Sequence, residues 1–201
     1  MKKILTVIAA ISALTLTACG QVDTAASFGD TKITQAQAQA KVDENIAERD
    51  QVNTTQMQLE TGNALNRSQL RFTIITSVFD EIAKELKIKV SSTEIENTRT
   101  GILQQIGGEE QLQTNLVAAQ IAPSNFERYM RATVLSNKLA DALGVAGVAE
   151  ADVSTKISEL VQRKAKQMKV SVNPRYGQWN EETAELLAED SAGDAVLPSS
   201  N

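Results

Sequence analysis

The chain contains no histidine and only one cysteine, Cys19. Ser-His and Cys-His catalysis therefore lacks its base, and zinc or haem sites built on these residues lack their ligands. A lone cysteine cannot close an intrachain disulfide, so packing alone must hold the fold together. Proline occurs three times and aromatic residues make up 3% of the chain. The remainder is rich in Gln, Ala, Leu, Ile and Val, which favours helices. There is no glycine-rich phosphate loop, because Gly107-Gly108 is a lone pair without the required lysine and reads as a turn between helices. There is also no Asp-x-Asp-x-Asn-Gly calcium loop, so a metal site would need carboxylates alone. Basic clusters are missing too: 20 Lys and Arg stand against 25 Asp and Glu. That balance argues against nucleic acid and against an electrostatic grip on anionic lipid. The pairs Glu109-Glu110 and Glu181-Glu182 are adjacent, point different ways on a helix, and read as solvated charge. No catalytic residue, metal ligand or cofactor is predicted, and the chain does not read as an enzyme.

Lys2 and Lys3 lead into a largely apolar run from Ile4 to Leu16, followed by Thr17, Ala18 and Cys19. This is the three-part layout of a secretory signal. The run is too short to cross a bilayer of ~30 Å as a helix. Leu16-Thr17-Ala18-Cys19 resembles the lipobox of bacterial lipoproteins. That resemblance implies cleavage between Ala18 and Cys19 and lipidation of the Cys19 sulfur, with at least two acyl chains for stable anchoring. Removing 18 of 201 residues leaves 183, enough for one domain with a core. The signal takes two of the 20 basic residues and no acidic ones, leaving 18 against 25 and a net charge of −7. The lipid, not the protein surface, is expected to hold the chain to the membrane.

Residues 19–27 read as a tether. Phe28 to Ile33 suggests a short strand and a tight turn at Gly29-Asp30. Thr34 with Gln37 fits a capping box, and Ala38, Val42 and Ile46 then recur every four residues to about Asp50. Residues 51–67 are polar and read as a loop or a poorly packed helix. Ser68 to Leu86 is the strongest core helix, with Phe72, Ile75, Val78, Phe79, Ile82 and Leu86 on one face. Ser91 with Glu94 marks a second box, before a helix that carries Ile95, Ile102 and Ile106. A short helix with Leu112, Leu116 and Val117 follows. Pro123 precedes a third box, Ser124 with Glu127, and a helix from Phe126 to Leu143. After a break at 144–147, Val153 to Met168 is helical and Lys169 to Val172 alternates as a strand. From Tyr176 on there is no Lys or Arg, and residues 181–201 read as an acidic disordered tail.

Four segments, taken in order, resemble the SurA N-terminal domain family of SurA/PrsA-like chaperone modules. Phe28-Gly29-Asp30-Thr31-Lys32-Ile33-Thr34 is similar to the family's opening strand and helix start, with Gly-Asp where the family turn is Asn-Gly. Glu85 to Ile95 is similar to its step from core helix to Ile-x-Val-Ser-x-x-Glu-Ile. Gly107 to Leu112, Ile121 to Phe126 and Arg128 to Arg131 resemble its Gly-Gly, Pro and aromatic/Arg helix. Val172 to Trp179 looks like the closing segment of actinobacterial lipoproteins of this type. The resemblance implies a mainly α fold: a single helical domain over residues 28–180, closed by a small β pairing between N- and C-terminal segments. It also marks a departure. Many relatives insert a parvulin prolyl isomerase domain before the closing segment; here only Leu143 to Asp152 lies there, so isomerase activity is not carried over.

The expected function is that of a membrane-anchored extracytoplasmic chaperone, a holdase. Its partners would be unfolded or nascent exported proteins, and its membrane contact the lipid on Cys19. Non-native chains expose apolar segments and strand edges that such a surface can cover. The acidic surface and tail would favour basic clients. The large side chains open to a contact role are Phe28, Met57, Leu59, Tyr129, Met130, Tyr176 and Trp179, none assigned individually. Tyr176 and Trp179 are expected to pin the closing segment, and Phe72, Phe79, Phe126 and Met130 to be core. The alternative is a non-catalytic interaction lipoprotein that docks one dedicated envelope partner. A Cys19→Ser change is expected to release the protein from the membrane fraction into the soluble one; retention of that variant in the membrane pellet would overturn the lipoprotein reading.

Overall fold

The computed structural model describes residues 23–189. The predicted signal at 1–18, its cleavage point at Ala18 and Cys19, and residues 190–201 lie outside the described residues. The chain opens with a hairpin, β1 (Thr24–Phe28) and β2 (Thr31–Thr34), and continues through α1 (Gln35–Arg49), α2 (Gly62–Glu85), α3 (Ser92–Ile106), α4 (Leu112–Ala118), α5 (Phe126–Val145) and α6 (Glu150–Gln167). Three short strands end it: β3 (Ser171–Val172), β4 (Gln178–Asn180) and β5 (Glu185–Leu187). The fold is mainly α, as the sequence implies.

The hairpin turns at Gly29, whose φ of 51° suits a residue without a Cβ. β1 pairs antiparallel with β2 on one edge and with β3 on the other, where Ala26 faces Val172 and Ser27 faces Ser171. Beyond the strand ends, the Gly29 N–H donates to the Met168 carbonyl at 2.8 Å and the Asn173 N–H to the Ala25 carbonyl at 2.8 Å. The opening and closing segments therefore meet as expected. The tether reading needs correction, because Ala25 and Ala26 are fully buried in β1. Their small side chains let the strand lie against the helices, so the fold begins near Thr24 and not at Phe28.

The acidic-tail reading is corrected in the same way for its first residues. Residues 181–187 form a turn and β5, and Trp179 pairs with Leu186 across β4. Ala184 and Leu186 are buried among the core residues. Two apolar side chains on one face outweigh the run of carboxylates, whose Glu182 pairs with Lys166 at 2.7 Å. Tyr176 is buried in the core, and half-buried Trp179 packs against it. Both pin the closing segment.

Thr34 and Ser91 form their capping boxes with Gln37 and Glu94. Glu94 also takes a 2.6 Å ion pair from Lys138 of α5. That pair, followed by the two hydrogen bonds from Ser91, holds the Glu94 carboxyl at about 2. The third box does not form. Residues 123–125 make a 3-10 turn, and Ser124 turns to Glu44 of α1, donating its N–H at 2.6 Å and its hydroxyl at 2.5 Å. Burial tends to raise the Glu44 carboxyl, and these bonds together with Lys41 bring it below its ordinary value. A carboxylate 80 residues away thus replaces the local partner Glu127. In α1 the position expected for Ile46 is taken by Asn45, which is 1% exposed while Ile46 is 47% exposed. Seven residues bring Asn45 back to within about 20° of Ala38, whereas eight carry Ile46 about 80° past it.

α2 is longer than the Ser68 start predicts and begins at Gly62, inside the polar stretch that reads as a loop or a poorly packed helix; Leu65 in that added part is buried. Its buried face is Leu70, Ile74, Val78 and Ile82. Phe72, Ile75 and Phe79, expected on that face, are only half-buried, and Leu86 is 51% exposed. A second small core gathers Leu116, Phe126 and Met130 under Ile95 and Ile102 of α3.

Gly177 locks the closing segment. Its φ is 119°, and a Cβ there would stand 2.0 Å from the Leu187 carbonyl oxygen. Gly177→Ala is expected to lower the unfolding free energy by about 2–3 kcal/mol in urea titration. Gly147→Ala, also at positive φ but in open space, should lower it by only about 1 kcal/mol. Equal losses would show that the close approach to Leu187 is not what matters.

Candidate functional site

A groove of about 520 Å³ opens along α2. α2 forms its floor, residues 119–121 after α4 form one wall, and Ala132 of α5 and Leu186 of β5 form the rest. Phe72, Ile75 and Phe79 lie within about 60° of one another around α2, which makes a continuous stripe along the groove. The core residues Ile74, Val78 and Ile82 form the neighbouring stripe. α2 is thus apolar over more of its circumference than its neighbours cover. Part of that surface faces the groove, where each added contact removes apolar area from water at roughly 25 cal/mol per Å².

One end of the groove is set by a polar network. The Gln120 side-chain oxygen accepts the Glu60 N–H at 2.8 Å and an Arg49 guanidinium N–H at 3.2 Å. The Gln120 carbonyl accepts from buried Gln69 of α2 at 2.7 Å. Arg49 also donates to the Glu60 carbonyl at 2.8 Å and to Asn45 at 3.2 Å. Burial lowers the pKa of Arg49 and the nearby Glu60 charge opposes that shift. Gln120 itself sits at φ 57°, a left-handed backbone that turns the chain sharply out of α4. Four segments are joined here, and the connection from residue 50 to residue 61 is held over the end of α2.

The edges carry charge. Arg67 and Arg71 line the groove, and Arg128 of α5 donates to the hydroxyls of Thr76 and Ser77 at 3.3 and 3.2 Å. Beside it, Arg131 pairs with Asp80 at 2.7 Å. The site offers apolar contact and hydrogen-bond donors. Among the described residues no group of three or more Cys, His, Asp or Glu side chains is placed to hold a metal ion. No described helix is long and apolar enough to cross a membrane.

None of the seven side chains proposed for contact lines this groove. Phe28, Met130 and Tyr176 are buried. Met57 and Leu59 are half-buried in the connection before α2, and Trp179 is half-buried in β4. Tyr129 is 38% exposed and stands outside the groove. The residues that do form the floor, Phe72 and Phe79, are the ones that periodicity assigns to the core. The signal that identifies them is the width of the apolar surface on α2: Leu70, Ile74 and Val78 already make a complete buried stripe. Gln120→Ala is expected to lower stability by about 1–3 kcal/mol, by leaving the Glu60 N–H and part of Arg49 without an acceptor. Amide exchange should rise in residues 51–61; unchanged exchange there would show that the network does not hold the connection.

No curated protein and no solved structure gives a significant match to the chain. A family model described as the SurA-like N-terminal domain matches residues 1–140. The matched span includes β1 through most of α5, and so the α2 floor and the 119–121 wall, while α6 and the closing strands lie beyond it. The chain belongs to the SurA-like N-terminal domain family.

Proposed function

We propose that this chain is a membrane-tethered extracytoplasmic holdase that binds unfolded exported proteins and has no prolyl isomerase activity. The observation that carries the reading is the half-open stripe Phe72, Ile75 and Phe79 on the floor of the groove, in a family that supplies chaperone-type modules. Non-native chains expose apolar side chains that a native protein buries, and the stripe gives them a place to go. Its side chains are already half-buried, so covering them yields only part of the ~1.5–3 kcal/mol available to each. Ordering an extended client offsets some of that gain. Binding of this kind is weak and reversible, as a holdase requires.

The absence of isomerase activity rests on the connection between α5 and α6. α5 ends at Val145 and α6 begins at Glu150, with a turn where relatives carry the parvulin domain. The membrane tether rests on the Leu16-Thr17-Ala18-Cys19 box. A lipid there would raise the local concentration of the groove where exported chains emerge.

The test uses the chain from Gly20 onward, which contains the whole described fold. Near-stoichiometric amounts are expected to suppress light scattering by a chemically unfolded, aggregation-prone protein, without accelerating a prolyl-limited refolding step. Phe72→Gln is expected to weaken suppression severalfold while far-UV circular dichroism stays unchanged. No suppression by the folded wild-type chain would overturn the holdase reading. It would favour the dedicated-partner reading, in which a pulldown recovers one stoichiometric envelope protein.

A further inference from the structure

We propose that the groove selects extended segments in which a pair of apolar residues is flanked by acidic ones, and that it discriminates against basic segments. The inference rests on the holdase reading of the groove and names the chemistry of its client. The observation is one of charge balance. One carboxylate, Glu60, lines the groove, and it acts on Arg49; Asp80, next in sequence to the lining residue Phe79, is paired with Arg131 at 2.7 Å. Arg67 and Arg71 line the groove with no carboxylate partner among the described residues, and Arg128, outside that lining, reaches it by donating to the Thr76 hydroxyl. The groove is therefore locally positive in a chain whose net charge is −5. The overall sign suggests basic clients; the sign where the apolar stripe lies points to the opposite choice.

The spacing defines the segment further. Arg71 and Phe79 are eight residues apart on α2, about 12 Å along the axis. An extended chain covers that distance in about four residues at roughly 3.3 Å each. A fitting client thus carries an acidic side chain within about four residues of the aromatic or aliphatic pair that lies on Phe72, Ile75 and Phe79. Guanidinium groups donate paired hydrogen bonds to carboxylates, so the acidic group fixes the register while the apolar stripe supplies most of the contact.

The experiment uses three labelled unfolded peptides of equal length, each with the same pair of phenylalanines, flanked by two Asp, two Asn or two Lys. Fluorescence anisotropy measures their binding to the chain from Gly20 onward at low ionic strength. The Asp peptide is expected to bind about tenfold more tightly than the Lys peptide, with Asn between them. About 0.5 M salt should largely remove the difference. Arg67→Gln with Arg71→Gln is expected to narrow the difference between the Asp and Lys peptides severalfold. Should that double variant fail to fold, the order and salt dependence in the wild-type chain decide the matter. Equal binding of all three, or tighter binding of the Lys peptide, overturns the proposal. If no peptide binds but aggregation is still suppressed, the groove is not the client site and the holdase reading stands. If neither is seen, both fail. Peptide binding that appears only after residues 190–201 are removed would give the groove to the chain's own acidic tail, and a dimer in sedimentation with no peptide binding would give it to a second copy; either result overturns the proposal.

Discussion

Everything in this fold depends on β1 having a partner on each edge. Ala25 and Ala26 are fully buried, and buried backbone N–H and C=O groups must be hydrogen-bonded or forfeit on the order of 1–3 kcal/mol each. β2 satisfies one edge directly across the hairpin turn, Phe28 facing Thr31 and Ala26 facing Ile33. The other edge waits for Ser171–Val172 and Asn173, almost 150 positions later in the chain. The intervening helices must deliver that segment, which makes α6 a return arm as well as a packing element. Its buried residues Val161 and Ala165 join the same core as Ala25 and Ala26. A contact of such sequence separation forms late and makes the two ends of the domain one cooperative unit.

α2 is the second constraint, because it serves two surfaces at once. Ile74 and Val78 anchor the core, and the adjacent Phe72, Ile75 and Phe79 face the groove. A helix with a single apolar stripe would leave no binding surface, and one covered all round would leave no access to it. The half-open state persists because the groove walls come from separately fastened elements. The Gln120 network fixes one wall, and the β4–β5 pair, held at Gly177, fixes another. Neither can slide over the aromatic stripe without breaking those contacts.

Features that depend on a few neighbouring residues were legible in the sequence. The Thr34–Gln37 and Ser91–Glu94 boxes each need only four residues and formed as read. The Gly107 turn and the order of the helices follow from local punctuation as well. Ser124 shows where that reasoning stops: its side chain had an apparent local partner in Glu127, and Glu44, brought near by the fold, won. The floor of the groove escapes the sequence for a related reason. Helical spacing finds a stripe of apolar residues but does not say how much of the helix its neighbours will cover. The acidic run after Glu181 hides a packed segment because composition averages over a window, while Ala184 and Leu186 are buried as individual side chains.

The position of β5 bears on when the site can come into being. Leu186 forms part of the groove wall, yet it is among the last of the described residues to leave the ribosome. The floor, on α2, emerges about a hundred residues earlier. A chain still being made therefore carries the apolar stripe without its closing wall, and the strand that finishes the fold is the same one that finishes the site. Only a copy that has closed its ends presents the groove in its finished form.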